Sequence, residues 1–219
     1  MAEFLVHSVP GSPFGRAALI ALEEKGANYR LSPVAPGTFR SPEHLARHPF
    51  GRVPVLEHQG YCLYETQAIL RYLDRVLPDP RLTPDEPKAA GRMDQVMNVS
   101  DWYLFQGVNN VIGFHRIVGP RVLGLAPDEA AIAEAMPRAR TVFNELGRLL
   151  AGNSYFAGDT YSLADILVAP QLDFLAATPE WSQLTASLPN LVSWLARMNA
   201  RSSFKATTWE KVTELAKAA

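Results

Sequence analysis

The chain has 219 residues, of which 47% are hydrophobic and 20% are charged, enough to bury a substantial core in one large or two small domains. Its formal net charge is −1 and no long run of one sign occurs, so the composition does not favour nucleic acid or an anionic membrane as a partner. We therefore expect its partners among small molecules and proteins.

The sequence also shows no pattern of export or membrane insertion. No apolar stretch approaches 18 residues, and no charged segment followed by an apolar one opens the chain. The single cysteine, Cys62, has no second cysteine with which to form an intrachain disulfide. We expect a cytoplasmic protein in which Cys62 is a small core residue rather than a nucleophile.

The N-terminal part begins with a strand, a helix and a second strand. Residues 3–8 are apolar-rich and precede Pro10-Gly11, which predicts a strand that ends in a turn. Ser12-Pro13 predicts a helix start, because the serine oxygen can accept from free backbone N–H groups and proline is tolerated in the first turn; Gly26 predicts the helix end. A second strand over 28–34 would then pair in parallel with the first.

A proline interrupts the next apolar run. Proline has no backbone N–H for a sheet and is confined to strand starts, edges or bulges, so Val53-Pro54 predicts the entrance of a strand. The backbone of Val53 would then stay unpaired and could pair with an extended peptide. An ordinary strand after a Pro-Gly turn fits these residues too, and the sequence leaves open whether the Val53–Pro54 bond is cis.

A hairpin and a helix complete the N-terminal part. Residues 53–58 and 61–64 predict two antiparallel strands joined by a tight turn. Apolar residues at helical spacing predict a helix over 65–73, and a short helix is predicted at 42–47. The order βαβ followed by ββα indicates one α/β domain with a mixed sheet.

The rest of the chain predicts helices only. Helical patterns interrupted by glycine and proline indicate an all-α domain. We predict an α/β domain over 1–78, a linker over 79–86 and a helical domain over 87–219. Within the helical domain, Ser162 and Asp165 fit a capping box that starts a core helix.

Four motifs occur in an order and spacing that resembles a known family. They are Pro10–Pro13, His48–Leu56, Glu65–Ile69 and Ala157–Asp165. Together they resemble the glutathione transferase family, in particular its serine-type members of phi and related bacterial kinds, over nearly the whole chain. The resemblance implies a thioredoxin-like N-terminal domain that binds glutathione, a helical-bundle domain that lines an electrophile pocket, and a homodimer. It implies glutathione as co-substrate, with no other cofactor and no metal.

The resemblance assigns Ser12 and the Val53-Pro54 pair to the thiol end of glutathione. Ser12 would donate a hydrogen bond to the sulfur, because the thiolate is the nucleophile and an O–H group at the positive end of a helix stabilises it. The alternative is that Ser12 is only a helix cap. Val53 would pair through its backbone with the cysteinyl part, and Pro54 would be the cis proline that presents it.

The other matched residues would hold the two ends of the tripeptide. The resemblance places the Glu65 carboxylate at the γ-glutamyl ammonium and Thr66 at the γ-glutamyl carboxylate; alternatively, both only cap their helix. Arg40 and Arg52 would contact the glycyl carboxylate and its surroundings. Phe39 belongs to this set although the phi pattern commonly has histidine there, which weakens these contacts or passes them to Arg40 alone.

The second substrate would contact aromatic residues. The candidates for the electrophile pocket are Phe14, Phe39, Phe114, His115 and Trp209. Phe114 and His115 belong to a predicted long helix after the linker, and most aromatic residues at helical spacing are core. Phe50 follows a proline in an exposed loop and could insert into a partner subunit, although a single exposed phenylalanine is also normal.

The expected activity is conjugation of the activated glutathione thiol to hydrophobic electrophiles. Glutathione-dependent peroxide reduction or isomerisation would use the same thiolate. A non-catalytic protein that binds glutathione or other ligands during stress would keep the same fold. The sequence does not specify the electrophile, because the shape of its pocket depends on helix packing.

Overall fold

The computed structural model describes residues 4–218. Two compact units form: the first combines the chain up to Leu82 with the segment from Asn199 onward, and the second comprises Thr83–Met198. The sequence-based division into 1–78, 79–86 and 87–219 remains a prediction. Glu3, the predicted start of the first strand, lies outside the described residues.

The first unit contains a four-stranded mixed sheet. Its strands are β1 (Phe4–Ser8), β2 (Tyr29–Pro33), β3 (Val55–His58) and β4 (Tyr61–Tyr64). Their order is β2-β1-β3-β4; β1 and β2 are parallel, and the other neighbouring pairs are antiparallel. The predicted βαβ-ββα arrangement is confirmed. β3 begins at Val55 rather than at Val53, so Val53 and Pro54 lie in the loop that leads into it.

Helices account for most of the remaining described chain. They are α1 (Pro13–Glu24), α2 (Pro42–Arg47), α3 (Thr66–Val76), α4 (Pro87–Val99), α5 (Ser100–Leu123), α6 (Glu129–Leu150), α7 (Leu163–Ala176), α8 (Trp181–Thr185), α9 (Pro189–Ala200), α10 (Ser202–Ala206) and α11 (Trp209–Ala218). The all-helical second part of the chain is therefore confirmed. None of the helices between residues 4 and 218 combines the length and apolarity that crossing a membrane would require.

The first two helices begin as their sequences predict. In each, a serine accepts a hydrogen bond at the N-cap and a proline occupies the first position: Ser12 Oγ accepts from Gly15 N–H at 3.1 Å, and Ser41 Oγ accepts from His44 N–H at 3.2 Å. Residues Ala17–Leu22 of α1 are fully buried, so this helix forms part of the core of the first unit.

A buried ion pair fixes the end of α1 to α3. The Lys25 ammonium donates to Asp74 Oδ1 and to the Pro80 carbonyl oxygen, both at 2.6 Å, and neither Lys25 nor Asp74 has an exposed side chain. Asp74 Oδ1 also accepts from Leu82 N–H at 2.9 Å. These bonds hold the chain after α3 against the first unit.

The second unit contains the predicted capping box. The Ser162 N–H donates to Asp165 Oδ2 at 3.0 Å, at the start of α7. Asp165 Oδ1 accepts from Phe156 N–H at 3.1 Å and from Trp194 Nε1–H at 2.9 Å. Because Asp165 is fully buried, this carboxylate joins three segments of the second unit from inside its core.

Two sequence-based expectations are wrong. Cys62 is exposed rather than part of the core, because it lies on the edge strand β4, whose first two residues are both exposed. The long helix expected to carry several aromatic residues is divided, because Gln106 (ψ 112°) and Gly107 (φ 83°) have non-helical backbone inside α5. Gly107 tolerates this positive φ because it has no Cβ atom.

Candidate active site

The sheet register brings three chain segments to one edge of the first unit. Val55 of β3 lies opposite His7 of β1 and also opposite Tyr64 of β4. The carboxyl ends of β1 and β4 and the entrance of β3 therefore meet at the same edge. Any loop or helix that begins there contributes to one common surface.

The residues expected to bind glutathione follow or precede these strand ends. Ser12 follows β1, Val53 precedes β3, and Glu65 and Thr66 follow β4 directly. The structure thus groups these predicted site residues at the edge described above. Their contacts with glutathione stay predictions.

The Ser12 hydroxyl can act as a cap and as a donor at the same time. Its oxygen accepts from Gly15 N–H at 3.1 Å, and within residues 4–218 no acceptor is bonded to its proton. A hydroxyl has one proton to donate in addition to its acceptor lone pairs. The first turn of α1 contains no acidic residue, so the positive helix end is not neutralised there. The two alternatives for Ser12 are therefore compatible.

The loop before β3 leaves one backbone donor available. The Val53–Pro54 bond, which the sequence left open, is cis. The Val53 N–H donates to no acceptor among residues 4–218, whereas the Arg52 carbonyl oxygen accepts from His44 Nε2 at 2.9 Å. An unpaired N–H at a strand entrance can bond an extended peptide.

Glu65 has a strained backbone at the start of α3. Its φ of 70° and ψ of 116° are unusual for a residue with a side chain, and such strain occurs often at functional sites. Its carboxylate makes no capping hydrogen bond to α3. Thr66 is the first helical residue and is 7% exposed. Its N–H lies in the first turn, where backbone donors are free to bind an anion.

Gly51 allows the backbone of Phe39 and the side chain of Arg40 to lie close to it. A Cβ atom at this position, where φ is 61°, would lie 2.6 Å from the Phe39 carbonyl oxygen and 3.2 Å from Arg40 Cδ. Only glycine allows so close an approach. Phe39 and Arg40 thereby lie against Gly51, the residue before Arg52, and Arg40 and Arg52 are both exposed. This arrangement would suit a carboxylate ligand.

Sequence reasoning missed two residues that shape this loop, Gly51 and His44. Gly51 lies inside the His48–Leu56 motif, and its place between two apolar segments could have indicated a close approach of the backbone. His44 gave no usable signal, since a histidine in a short polar helix resembles a surface residue. In the structure His44 is 4% exposed and its ring packs edge-on against Phe39, with centroids 5.8 Å apart.

The predicted aromatic residues divide between the two units. In the first unit, Phe14 lies in the first turn of α1, and the Trp209 ring lies so close to Gly11 that a Cβ atom there would clash with it. In the second unit, Phe114 and His115 pack edge-on at 5.2 Å, and His115 Nδ1 accepts from the N–H of the residue that caps α6. The role of these four residues and of Phe39 in an electrophile pocket stays a prediction.

Phe50 is exposed at the same edge of the first unit. It is 60% exposed and packs edge-on against His48 and Tyr64, with centroid distances of 6.1 and 6.3 Å. Burial lowers the pKa of His48 below its usual value, which favours a neutral ring beneath Phe50. Among the described residues no group of histidine, cysteine and carboxylate side chains is placed to hold a metal ion.

Two family models match the chain. Residues 2–75 match the glutathione S-transferase N-terminal domain, and residues 110–202 match the glutathione S-transferase C-terminal domain. The chain is also 34% identical over 203 residues to glutathione S-transferase 4 of Zea mays. This alignment covers 87% of the chain and 85% of the maize protein.

Solved structures agree with these matches. Glutathione transferase F7 from Populus trichocarpa superposes with a TM-score of 0.84 at 27% identity, over 97% of this chain and 99% of that protein. Glutathione S-transferase I from mais, in complex with an atrazine glutathione conjugate, superposes with a TM-score of 0.81 at 28% identity, over 98% of both chains.

Proposed function

This chain belongs to the glutathione S-transferase family, and we propose that it is a serine-type member that conjugates glutathione to hydrophobic electrophiles. The plant relatives named above support the transferase activity. The finer placement among phi-like bacterial members rests on the sequence motifs alone.

The observation that carries the proposal is the Ser12 hydroxyl at the N-terminus of α1. Its proton is available, since the oxygen serves the helix only as an acceptor. A donor at the positive end of a helix stabilises a thiolate relative to a thiol, which lowers the pKa of a bound thiol. The thiolate would then use a sulfur electron pair to form the S–C bond. In a substitution the leaving group departs with the electrons of the bond that breaks, and in an addition to an activated double bond the resulting carbanion takes up a proton from water.

The rest of the edge surface would hold the tripeptide. The Val53 backbone would bond the cysteinyl part, beside the cis Pro54. The exposed Glu65 carboxylate would pair with the γ-glutamyl ammonium, and Thr66 would bond the γ-glutamyl carboxylate through its N–H and hydroxyl.

Two arginines would hold the other end of glutathione. Arg40 and Arg52, together with the neighbouring Phe39, would bind the glycyl carboxylate and its surroundings. Holding the thiolate and the electrophile in one geometry would supply most of the remaining rate enhancement.

The proposed electrophile pocket is aromatic. Phe14 and Phe39 flank the glutathione residues, and Trp209 contacts the loop that precedes Ser12. Phe114 and His115 complete the proposed set. Aromatic walls would favour an apolar, planar electrophile.

The activity can be tested with the purified chain, glutathione and a generic aryl halide. We expect glutathione-dependent formation of the thioether. Binding of glutathione without turnover of aryl halides or activated alkenes would contradict the proposal and favour a non-catalytic binding protein. Turnover of hydroperoxides alone would favour the peroxidase alternative.

We also propose a cytoplasmic homodimer. The exposed Phe50 supports an interface at this edge, since the residues that anchor protein interfaces are often aromatic. Light scattering should give twice the mass of 24.1 kDa, and Phe50→Ala should shift the mass toward the monomer on dilution. A wild-type monomer at micromolar concentration would contradict the dimer.

A further inference from the structure

His44 contacts the loop that leads into β3 from within the first unit. Its side chain is buried, and its Nε2 lies 2.9 Å from the carbonyl oxygen of Arg52. A carbonyl oxygen can only accept, so His44 Nε2–H is the donor. This bond is the only one from a side chain to the backbone of the Arg52–Pro54 segment among residues 4–218.

The bonded carbonyl belongs to the same rigid peptide group as the Val53 N–H. The atoms of a peptide group lie in one plane, and in a trans peptide the C=O and N–H bonds point in opposite directions. A bond that holds the Arg52 oxygen therefore also fixes the direction of the Val53 N–H, on the side away from His44. That N–H has no acceptor within residues 4–218, so it is available to a ligand.

The helix that carries His44 is itself fixed to the sheet. Arg47 Nε donates to Glu57 Oε1 at 3.0 Å, and the same oxygen is 2.8 Å from His7 Nε2 of β1. Beyond α2, the His48 carbonyl oxygen accepts from Gly51 N–H at 2.8 Å. His44 thus connects a fixed helix to a loop that has few other restraints.

We propose that His44 is a positioning residue for glutathione. By holding the Arg52–Val53 peptide plane, it directs the Val53 N–H toward an acceptor in the cysteinyl part of the tripeptide. His44 itself does not contact glutathione. The inference rests on the proposed function, because it assigns the ligand of the Val53 N–H to glutathione.

The test uses two histidine variants of the same kind. His44→Phe keeps an aromatic ring and removes the donor, and we expect the Kd for glutathione to rise about tenfold while kcat at saturating glutathione stays within about twofold. His58→Phe is the matched control: it removes the bond between His58 Nδ1 and Tyr72 Oη, which is 2.8 Å long, at the far end of β3. It should leave the Kd within about twofold of wild type.

Two further measurements separate positioning from general stability. His44→Gln restores an amide donor of similar reach, and it should recover at least half of the lost affinity on a logarithmic scale. Hydrogen exchange of the Val53 amide should slow when glutathione saturates the wild-type protein, and it should not slow in His44→Phe.

Each outcome bears on one proposal. Equal Kd values and equal protection of the Val53 amide in wild type and His44→Phe would overturn the inference and leave the proposed function intact. An equal loss of affinity in His44→Phe and His58→Phe would also overturn it, because the effect would then be general. If wild-type protein does not bind glutathione at all, the proposed function itself fails.

Discussion

Replacing Ser12 by alanine should have two separate effects, because its hydroxyl accepts from the helix and has a proton left to donate. The lost acceptor leaves Gly15 N–H, now 3.1 Å from Ser12 Oγ, without its bond. Loss of a serine N-cap costs about 1 kcal/mol of stability, which corresponds to a decrease of about 2–4 °C in Tm for a protein of this size.

The lost donor should change the titration of bound glutathione. A hydrogen bond to a charged group contributes about 1.5–3 kcal/mol, and one pKa unit corresponds to about 1.4 kcal/mol. In Ser12→Ala the pKa of the bound thiol should therefore rise by about one to two units, toward the ~8.5 of a free thiol. Conjugation near neutral pH should fall by about tenfold or more, since the thiolate is the nucleophile.

Ultraviolet titration of the bound thiolate and thermal melting measure these effects independently. Glu86→Ala is the control, because Glu86 caps α4 in the second unit by accepting from Ala89 N–H at 2.7 Å. We expect that variant to melt earlier and to leave the thiol titration unchanged. If Ser12→Ala behaves in the same way as Glu86→Ala, Ser12 is only a cap, and the helix end with its backbone donors would account for any activation.

Three further changes probe the site and the two units. Thr66→Val should raise the Kd for glutathione, measured by calorimetry, about tenfold, since it removes one charge-assisted hydrogen bond. Thr66→Ser keeps the hydroxyl and should leave the Kd unchanged. Equal Kd values for wild type and Thr66→Val would mean that Thr66 only starts α3. Lys25→Met should lower the free energy of unfolding in urea by about 3–5 kcal/mol, because it removes the buried ammonium that pairs with the Asp74 carboxylate. Lys25→Met with Asp74→Leu should recover most of that loss, and no recovery would show that packing rather than the charge pair is responsible. Burial raises the pKa of Asp165 to about 6, so between about pH 4 and pH 6 the native state holds a proton that the unfolded chain has released. The free energy of unfolding of wild type, measured relative to Asp165→Asn, should therefore fall by about 3 kcal/mol as the pH rises from about 4 to about 6. A difference between the two proteins that does not change with pH would contradict this.

Local signals predicted most of the elements that surround the site. Ser12-Pro13 predicted the start of α1 because a serine cap and a first-turn proline act within one turn of the chain. The hairpin strands and the mixed sheet follow from short apolar runs and turn residues in the same way. The capping box also depends on a local signal, because Ser162 and Asp165 are only three positions apart.

The features that the sequence did not predict depend on contacts between distant residues or on backbone geometry. The exposure of Cys62 depends on β4 being the edge strand, which is a property of the whole sheet. The break at Gln106 and Gly107 needs a glycine with positive φ, and glycine also occurs inside continuous helices. The positions of Phe114 and His115 depend on helix packing, which spacing alone does not fix.

The candidate site is a consequence of sheet register more than of any single motif. Each motif only ends or begins an element; the pairing of Val55 with both His7 and Tyr64 brings those ends to one edge. A slip of one residue in β3 would turn its side chains to the other face and move the Val53 N–H by one position relative to Ser12. The register of the sheet decides which residues supply donors at this edge, namely Ser12 and Val53. The direction of the Val53 N–H then depends on the bond from His44 to the Arg52 carbonyl oxygen. We therefore expect substitution of His44 in α2, which does not itself contact glutathione in the proposal, to change glutathione affinity more than substitution of exposed residues that are not proposed to contact glutathione.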